Sequence, residues 1–188
     1  MSWLEQARRR RLAGRLACIA FLGGLAAGCF QPLYGNVSLT NSPPVAPALA
    51  AVDVSQIAAP SGSPEARVAV ETRNQLIFDL TGGAQPPPPT HRLAIRMSSN
   101  RLSVIVDITS GRPDVEDYGL NVSYTLTEIK TGKPVVTGST FARVSYDIPG
   151  QAQRFARARA LRDAEDRAAK LIADNIRARL ASYFVAGT

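Results

Sequence analysis

The stretch LNVSYTL, residues Leu120–Leu126, alternates strictly between apolar and polar side chains. Because successive side chains of a strand point to opposite faces, this pattern predicts a β-strand with one buried and one solvated face. Thr131-Gly132 follows, flanked by Lys130 and Lys133, and predicts a hairpin turn. Val135–Tyr146 is then the returning strand. An antiparallel pair is therefore the centre of the predicted fold.

Strand signals continue upstream of this pair. The apolar residues between positions 93 and 97 are odd-numbered, whereas those between 102 and 106 are even-numbered. Because such a change of parity moves apolar side chains to the other face, we predict a bulge or bend within Ser98–Arg101. Further upstream, Ala51–Ile57 alternates well enough to predict one short strand.

Two helices complete the predicted domain. Ser63-Pro64-Glu65 places an N-cap serine, a first-turn proline and an acid at a helix start, and Gly82-Gly83 ends that helix. Gln151–Tyr183 contains no Gly or Pro and predicts a helix of about 45–50 Å. Its apolar stripe is rich in alanine, which favours packing on a sheet over the alternative of a membrane-surface helix. The predicted fold class is α+β, with two helices packed on one face of a sheet of about four mostly antiparallel strands.

The N-terminal segment has the form of a lipoprotein signal. Arginines precede an apolar run of about ten residues, Leu16–Leu25, which is too short to span a bilayer. Leu25-Ala26-Ala27-Gly28-Cys29 then has the form of a lipoprotein cleavage site, although Ala26 stands where leucine is usual. An N-terminal membrane anchor and an ordinary cleaved signal are the alternatives. We predict a signal peptide over residues 1–28, a lipidated Cys29 with a flexible Pro/Ala-rich tether over 29–50, and a single domain over 51–185.

Processing at Cys29 changes the charge and the thiols. The formal net charge of the chain is +7. Loss of five arginines and one glutamate leaves 17 basic and 14 acidic residues, a net charge of +3. The high isoelectric point is then largely a property of the signal, and nucleic acid is not an expected partner. Cys18 would be removed, and Cys29 would carry a covalent N-acyl diacylglycerol with fatty acids such as palmitate, so no cofactor is expected beyond this lipid.

The residue pattern does not favour an enzyme. His91 is the sole histidine, and no G-x-S-x-G motif accompanies it. Asp114, Glu116 and Asp117 are predicted to lie in the loop Thr109–Tyr118, but their spacing does not match a calcium-binding loop, so we expect no metal site. Basic residues near strand and helix ends remain as candidates: Arg101, Arg112, Lys130, Lys133 and Arg154. Their simplest role is solubility and surface pairing, but arginine also suits the binding of phosphate groups.

Several short motifs resemble one family when taken in order. They are Cys29–Gly35 (CFQPLYG), Arg73–Leu76 (RNQL), Asp117-Tyr118, Thr131–Lys133, Ser145–Asp147 and the final Ala/Arg-rich helix. Together they resemble the alphaproteobacterial form of the LPS-assembly lipoprotein family LptE.

The resemblance implies a plug inside the β-barrel LptD that assists barrel assembly and lipopolysaccharide insertion. It implies an outer-membrane protein, lipid-anchored on the periplasmic side, and Phe30 after the cysteine fits that location. It also implicates basic residues before the third strand and near the last helix in lipopolysaccharide contact. Arg112 and Arg154 are the nearest matches, and Arg101, Lys130 and Lys133 are further candidates.

Two alternative functions stay open from the residues. The first is an auxiliary lipoprotein of an ABC-type lipid transport system, which would carry an apolar groove for acyl chains. The second is a periplasmic hydrolase, which the missing nucleophile–base set disfavours.

Overall fold

The computed structural model describes residues 45–107, 112–148 and 154–186. Helix α1 spans Val45–Ala50, α2 spans Pro64–Thr81 and α3 spans Arg154–Ala186. The strands are β1 (Val52–Val54), β2 (His91–Asp107), β3 (Arg112–Glu128) and β4 (Pro134–Asp147). The predicted signal peptide and Cys29 lie outside the described residues.

The strands form one mixed sheet in the order β1-β2-β3-β4. β1 runs parallel to β2, and the other neighbours are antiparallel. Leu126 of the opening stretch lies opposite Leu93 on one side and Val136 on the other. All three side chains are buried, as the predicted alternation requires. The order is simple because two consecutive hairpins build three of the four strands.

Helices α2 and α3 pack on one face of this sheet and close the core. The buried stripe of α3 includes Ala164, Ala168 and Ala173 beside Ile172 and Ile176. Small alanines let the helix approach the sheet closely, and each fully buried large aliphatic side chain stabilises the fold by about 1.5–3 kcal/mol. The predicted α+β class, with helices on one face, is confirmed. The other face of the sheet carries no described helix and is called the open face below.

Helix α2 begins and ends where its capping residues predict. The Ser63 hydroxyl accepts a hydrogen bond from the Ala66 amide at 3.1 Å, which satisfies one of the first free N–H groups. At the other end, Gly82 takes φ +64° and its amide bonds to the carbonyl of Phe78 at 2.8 Å. This left-handed conformation favours glycine because it has no Cβ.

The predicted bulge within Ser98–Arg101 is wrong. β2 and β3 stay in continuous register from His91 to Ser103, and the irregularity falls between Ser103 and Val106. The parity change has another cause, because Leu102 and Val104 do not turn into the core. They lie exposed on the open face, where isolated apolar side chains are tolerated.

The acidic cluster does not lie in a loop, contrary to the prediction for Thr109–Tyr118. Asp114, Glu116 and Asp117 are all residues of β3, which begins at Arg112. Glu116 points to the helix-covered face and is buried, because it lies opposite Tyr146 in the ladder. A strand of alternating side chains therefore divides the cluster between two faces.

The predicted tether over residues 29–50 is wrong for its last six residues. Val45–Ala50 is helix α1, and its Val45 and Leu49 are buried against the other helices. The i,i+4 spacing of these two residues gives the short helix one apolar face. Pro47 is compatible with the first turn because the amide it lacks would have no partner there. The folded part of the chain thus extends upstream of residue 51.

Candidate functional site

Three of the five candidate cations lie toward one end of the sheet, which is called the hairpin end. Arg112 is the first residue of β3, and its backbone lies opposite that of Asp107 in the β2–β3 ladder. Arg154 is the first residue of α3, which returns from β4 over the same end. Arg101 lies on β2 opposite Tyr118, nearer the middle of the strand. The topology therefore gathers cations that are separated by up to 53 positions in the chain.

A buried carboxylate lies beneath the hairpin end. Glu116 is 8% exposed, and its Oε2 accepts a hydrogen bond from the Tyr146 hydroxyl. Its Oε1 accepts a second bond from Arg157 Nη2 at 3.4 Å. Both partners satisfy a charge that would otherwise be costly to bury. Glu116 thereby joins the first turn of α3 to strands β3 and β4.

The same contact shifts the ionisation of the tyrosine. Burial first, and then the hydrogen bond and negative charge of Glu116, raise the pKa of Tyr146 to about 12. Arg101 acts on the same hydroxyl and opposes this rise in pKa. Tyr146 therefore stays neutral and donates a hydrogen bond to Glu116 throughout the physiological pH range. The hydrogen-bonded side chains of Glu116, Tyr146 and Arg157 therefore stabilise the structure at the hairpin end.

The remaining two candidates lie at the far end of the sheet. Lys130 and Lys133 flank the β3–β4 turn, in which Gly132 has φ +68°. Both lysines are exposed. β3 separates this turn from Arg112 by 17 residues, or about 55 Å at the usual rise per residue. The two lysines and Arg112 cannot contact the same phosphate group.

His91 lies near this far end and holds a helix terminus. Its ring packs edge-on against Phe184 and Tyr183 of α3, with ring centroids 5.2 Å and 6.5 Å away. Burial lowers the pKa of His91, and the Glu128 charge partly opposes that change in pKa. The half-buried neutral ring is thus part of the packing between β2 and the end of α3.

Sequence reasoning missed an ionic clamp between the two long helices. Arg67 of α2 bonds to Asp166 of α3 at 2.9 Å and also to Glu165. The Glu165 side chain is only 5% exposed, whereas that of Arg67 is 40% exposed. The available signal was the position of Glu165 next to Ala164 and Ala168 in the apolar stripe, where a carboxylate needs a partner.

The described residues contain no group of three or more His, Cys, Asp or Glu side chains that could hold a metal ion. None of the helices within the described ranges is long and apolar enough to cross a membrane.

Comparison with known families gives this domain a class. Residues 49–180 match the family model described as LptE, lipopolysaccharide-assembly, which covers more than half of the chain. The class is that of non-enzymatic, outer-membrane-associated lipoproteins that act in lipopolysaccharide assembly. The chain belongs to the LptE family.

Three solved structures that are similar to this chain are described as lipoproteins. A candidate lipoprotein from Caulobacter crescentus CB15 is 25% identical, with a TM-score of 0.59, and the match covers 77% of this chain and 97% of that one. The rare lipoprotein B from Shewanella oneidensis is 16% identical, with a TM-score of 0.49 and coverage of 70% and 93%. A minor lipoprotein from Acinetobacter baumannii is 16% identical, with a TM-score of 0.45 and coverage of 68% and 92%. A search of curated proteins finds no match.

The family match confirms the resemblance predicted from the short motifs and the expected non-enzymatic role. It disfavours the hydrolase, and it gives the ABC-type alternative no support.

Proposed function

We propose that the protein is an outer-membrane lipoprotein that sits as a plug inside an LptD-like β-barrel. In this role it assists assembly of the barrel and insertion of lipopolysaccharide into the outer leaflet. The observation that carries the proposal is the family match over residues 49–180, a range that includes the sheet and most of α3.

The open face of the sheet supports a place inside a barrel. Its central rows carry the small polar side chains of Ser98, Asn121, Ser123 and Ser139, together with Arg96 and the exposed Phe141. The lumen of an outer-membrane barrel is polar, in contrast to its lipid-facing outside. A sheet face that has these polar rows at its centre, and that no described helix covers, suits such a lumen better than it suits a core.

The two ends of the domain support an orientation. Helix α1 leads into Ala51, whose carbonyl accepts the Thr90 amide at 2.9 Å, so the described part of the chain enters the sheet at the end that carries Lys130 and Lys133. Cys29, the proposed site of the N-acyl diacylglycerol, lies 16 positions before Val45. Its lipid can lie at most about 55 Å from the domain. Because the chain enters the domain at this end, the proposed orientation places the far-end lysines toward the periplasmic leaflet and the hairpin end away from it.

The hairpin end is the proposed contact with lipopolysaccharide. Arg101, Arg112 and Arg154 lie toward this end, and guanidinium groups bind phosphate oxygens through paired hydrogen bonds. Lys130 and Lys133 are separate from this contact because they lie at the other end of β3.

Recovery of the barrel tests the main proposal. The protein is tagged in its native host and purified from detergent-solubilised outer membrane. A large β-barrel protein should be recovered at a constant ratio. Consistent absence of such a barrel would overturn the plug role.

A charge reversal tests the ligand contact. Arg112→Glu should weaken binding of lipopolysaccharide while the barrel is still recovered, because Arg112 is the terminal residue of β3 and its replacement leaves the rest of the sheet in place. Lys133→Glu is the matched control at the opposite end and should bind as the unchanged protein does. Equal binding by both variants would remove Arg112 from the contact.

The anchor has its own test. Mass spectrometry of the mature N-terminus should find Cys29 with N-acyl diacylglycerol, and Cys29→Ser should release the protein from the membrane. An unmodified Cys29 would contradict the proposed anchor.

A further inference from the structure

The open face carries a shallow depression at its centre, of about 460 Å³. Six side chains that share this face line it, in two rows across three strands: Arg96, Ser123 and Ser139 in one row, and Ser98, Asn121 and Phe141 in the other. Strands are about 4.8 Å apart, and alternate residues of a strand about 6.7 Å apart. The rows therefore form a floor of roughly 10 by 7 Å, the size of one or two sugar rings. These six residues are called the open-face patch.

The charge of the patch is positive. Arg96 is its charged member, and among the residues that the structure describes it makes neither a hydrogen bond nor an ion pair. Other arginines of the same face are engaged, because Arg92 bonds to Asp53 at 3.2 Å and Arg143 lies 4.0 Å from Asp117. An unpaired guanidinium beside hydroxyl groups is complementary to a carboxylate or a phosphate.

The remaining side chains are those that recognise sugars. Three serine hydroxyls and the Asn121 amide supply donors and acceptors for hydroxyl groups. Phe141 is 70% exposed at the corner diagonal to the arginine. An exposed aromatic ring offers a flat apolar surface to the C–H face of a sugar ring, and this contact removes both apolar surfaces from water. A cation, a polar floor and an aromatic platform thus lie within one depression.

We propose that the open-face patch binds an acidic sugar of lipopolysaccharide, with its carboxylate or phosphate on Arg96 and a ring face on Phe141. This inference rests on the proposed function, because that function brings lipopolysaccharide to the protein. The open-face patch is then a second contact with lipopolysaccharide, on the side of the sheet opposite to the helices. The patch binds a sugar, while the hairpin end binds another part of the same lipopolysaccharide molecule.

Calorimetric titration tests the patch. The full-length lipoprotein in detergent is titrated with deacylated lipopolysaccharide, which keeps the charged sugars and lacks acyl chains. Arg96→Gln should raise the Kd about tenfold, the effect of losing one charge-assisted hydrogen-bonding group. Phe141→Ala should raise the Kd roughly fivefold. A neutral maltooligosaccharide of similar length should not bind.

Matched variants separate this site from others. Arg92→Gln lies on the same strand and face but removes a paired arginine, so it should leave the Kd unchanged. An unchanged Kd in Arg96→Gln would overturn the proposal. The proposal would also be overturned if Arg112→Glu abolished binding while Arg96→Gln and Phe141→Ala had no effect. If the protein–barrel complex binds the deacylated sugar without any dependence on Arg96, the barrel wall covers this face and the proposal is wrong.

The two proposals fail separately. Recovery of the barrel without Arg96-dependent binding leaves the plug role intact and overturns the patch. Arg96-dependent binding without recovery of a barrel supports the patch and overturns the plug role.

Discussion

Tyr146 donates a hydrogen bond to the buried carboxylate of Glu116, which faces it across strands β3 and β4. Arg157 adds the second bond from the first turns of α3. The pair therefore connects the sheet to the helix whose start carries Arg154. A polar group buried in this way stabilises the fold only while its partners are present.

Removal of the tyrosine hydroxyl should destabilise the domain. Tyr146→Phe keeps the ring and leaves one oxygen of Glu116 without its donor, so we expect a loss of about 1–3 kcal/mol in the free energy of unfolding. Tyr183→Phe is the control, because the described contacts of Tyr183 are made by its ring, and it should change stability by less than about 0.5 kcal/mol. Urea unfolding of both variants measures the difference. Equal losses would show that the Glu116 contact contributes nothing specific.

The stability that Tyr146 adds relative to phenylalanine should be lost at alkaline pH. The folded protein raises the pKa of Tyr146 from 10.0 to about 12, so the protonated form is the one that the fold favours. The contribution is therefore complete below the unfolded pKa and is lost as the pH rises through the folded pKa. In urea unfolding at increasing pH, the free energies of unfolding of the unchanged protein and of Tyr146→Phe should converge as the pH rises from 10.0 to about 12.

The clamp between the long helices should matter more than exposed ion pairs. Arg67→Ala leaves the buried Glu165 without its cation, and we expect a loss of about 2 kcal/mol, reduced from the value for fully buried pairs because Arg67 is partly exposed. Arg92→Ala, which breaks an exposed pair with Asp53, should cost less than about 0.5 kcal/mol. Thermal unfolding compares them. The double variant Arg67→Ala with Glu165→Gln should recover most of the loss, and failure to recover would mean that packing of Arg67, not its charge, stabilises the helices.

Acid should weaken the packing of His91. Burial lowers the pKa of this ring, so the fold favours the neutral form. Its contribution is present above the unfolded pKa of about 6.5 and is lost as the pH falls through the lower folded value. His91→Phe keeps an aromatic ring against Phe184 and does not titrate. The melting temperature of the unchanged protein should therefore fall more than that of the variant between about pH 7.5 and pH 5. Parallel falls would assign the pH effect to other groups.

Neutralisation of Asp79 should stabilise the domain. Burial first, and then the nearby Asp174, raise the pKa of Asp79, so its charged form is disfavoured in the fold. Asp79→Asn keeps an acceptor for Gln75 and should raise the melting temperature at neutral pH. The gain should shrink as the pH falls through the folded pKa, because Asp79 then becomes neutral by itself. Asp163→Asn, which removes the exposed i,i+4 partner of Arg167, should give no such gain.

Much of the fold could be predicted because the signals are local. The alternation of Leu120–Leu126, the Ser63 and Gly82 caps and the Gly132 turn each depend on a few neighbouring residues. The same local reasoning failed at Ser98–Arg101, because parity cannot tell an apolar residue that is exposed from one that has changed face. It also left α1 inside the tether, because six residues give too little periodicity to be recognised without the surface they pack against.

The candidate site was predicted only in part. The family resemblance pointed to Arg112 and Arg154, and the short motifs that support the resemblance can be read from the sequence alone. Grouping the cations required the topology, which brings Arg112 and Arg154 to one end and sends Lys130 and Lys133 to the other. Arg96 and Phe141 were not candidates, because they are separated by 45 positions and come to share one surface only across three strands.

The sequence by itself therefore determined the two long helices, the strands, the caps of α2, the α+β class and the family, since short-range periodicity and short motifs carry that information. Only the tertiary structure decided that Glu116 and Glu165 are buried with partners, that the cations divide between two ends, and that the described helices all pack on one face of the sheet. The physical reason is range. A helix cap depends on groups three residues apart, whereas the clamp from Arg67 to Glu165 joins side chains 98 positions apart, and only the packed core brings them together.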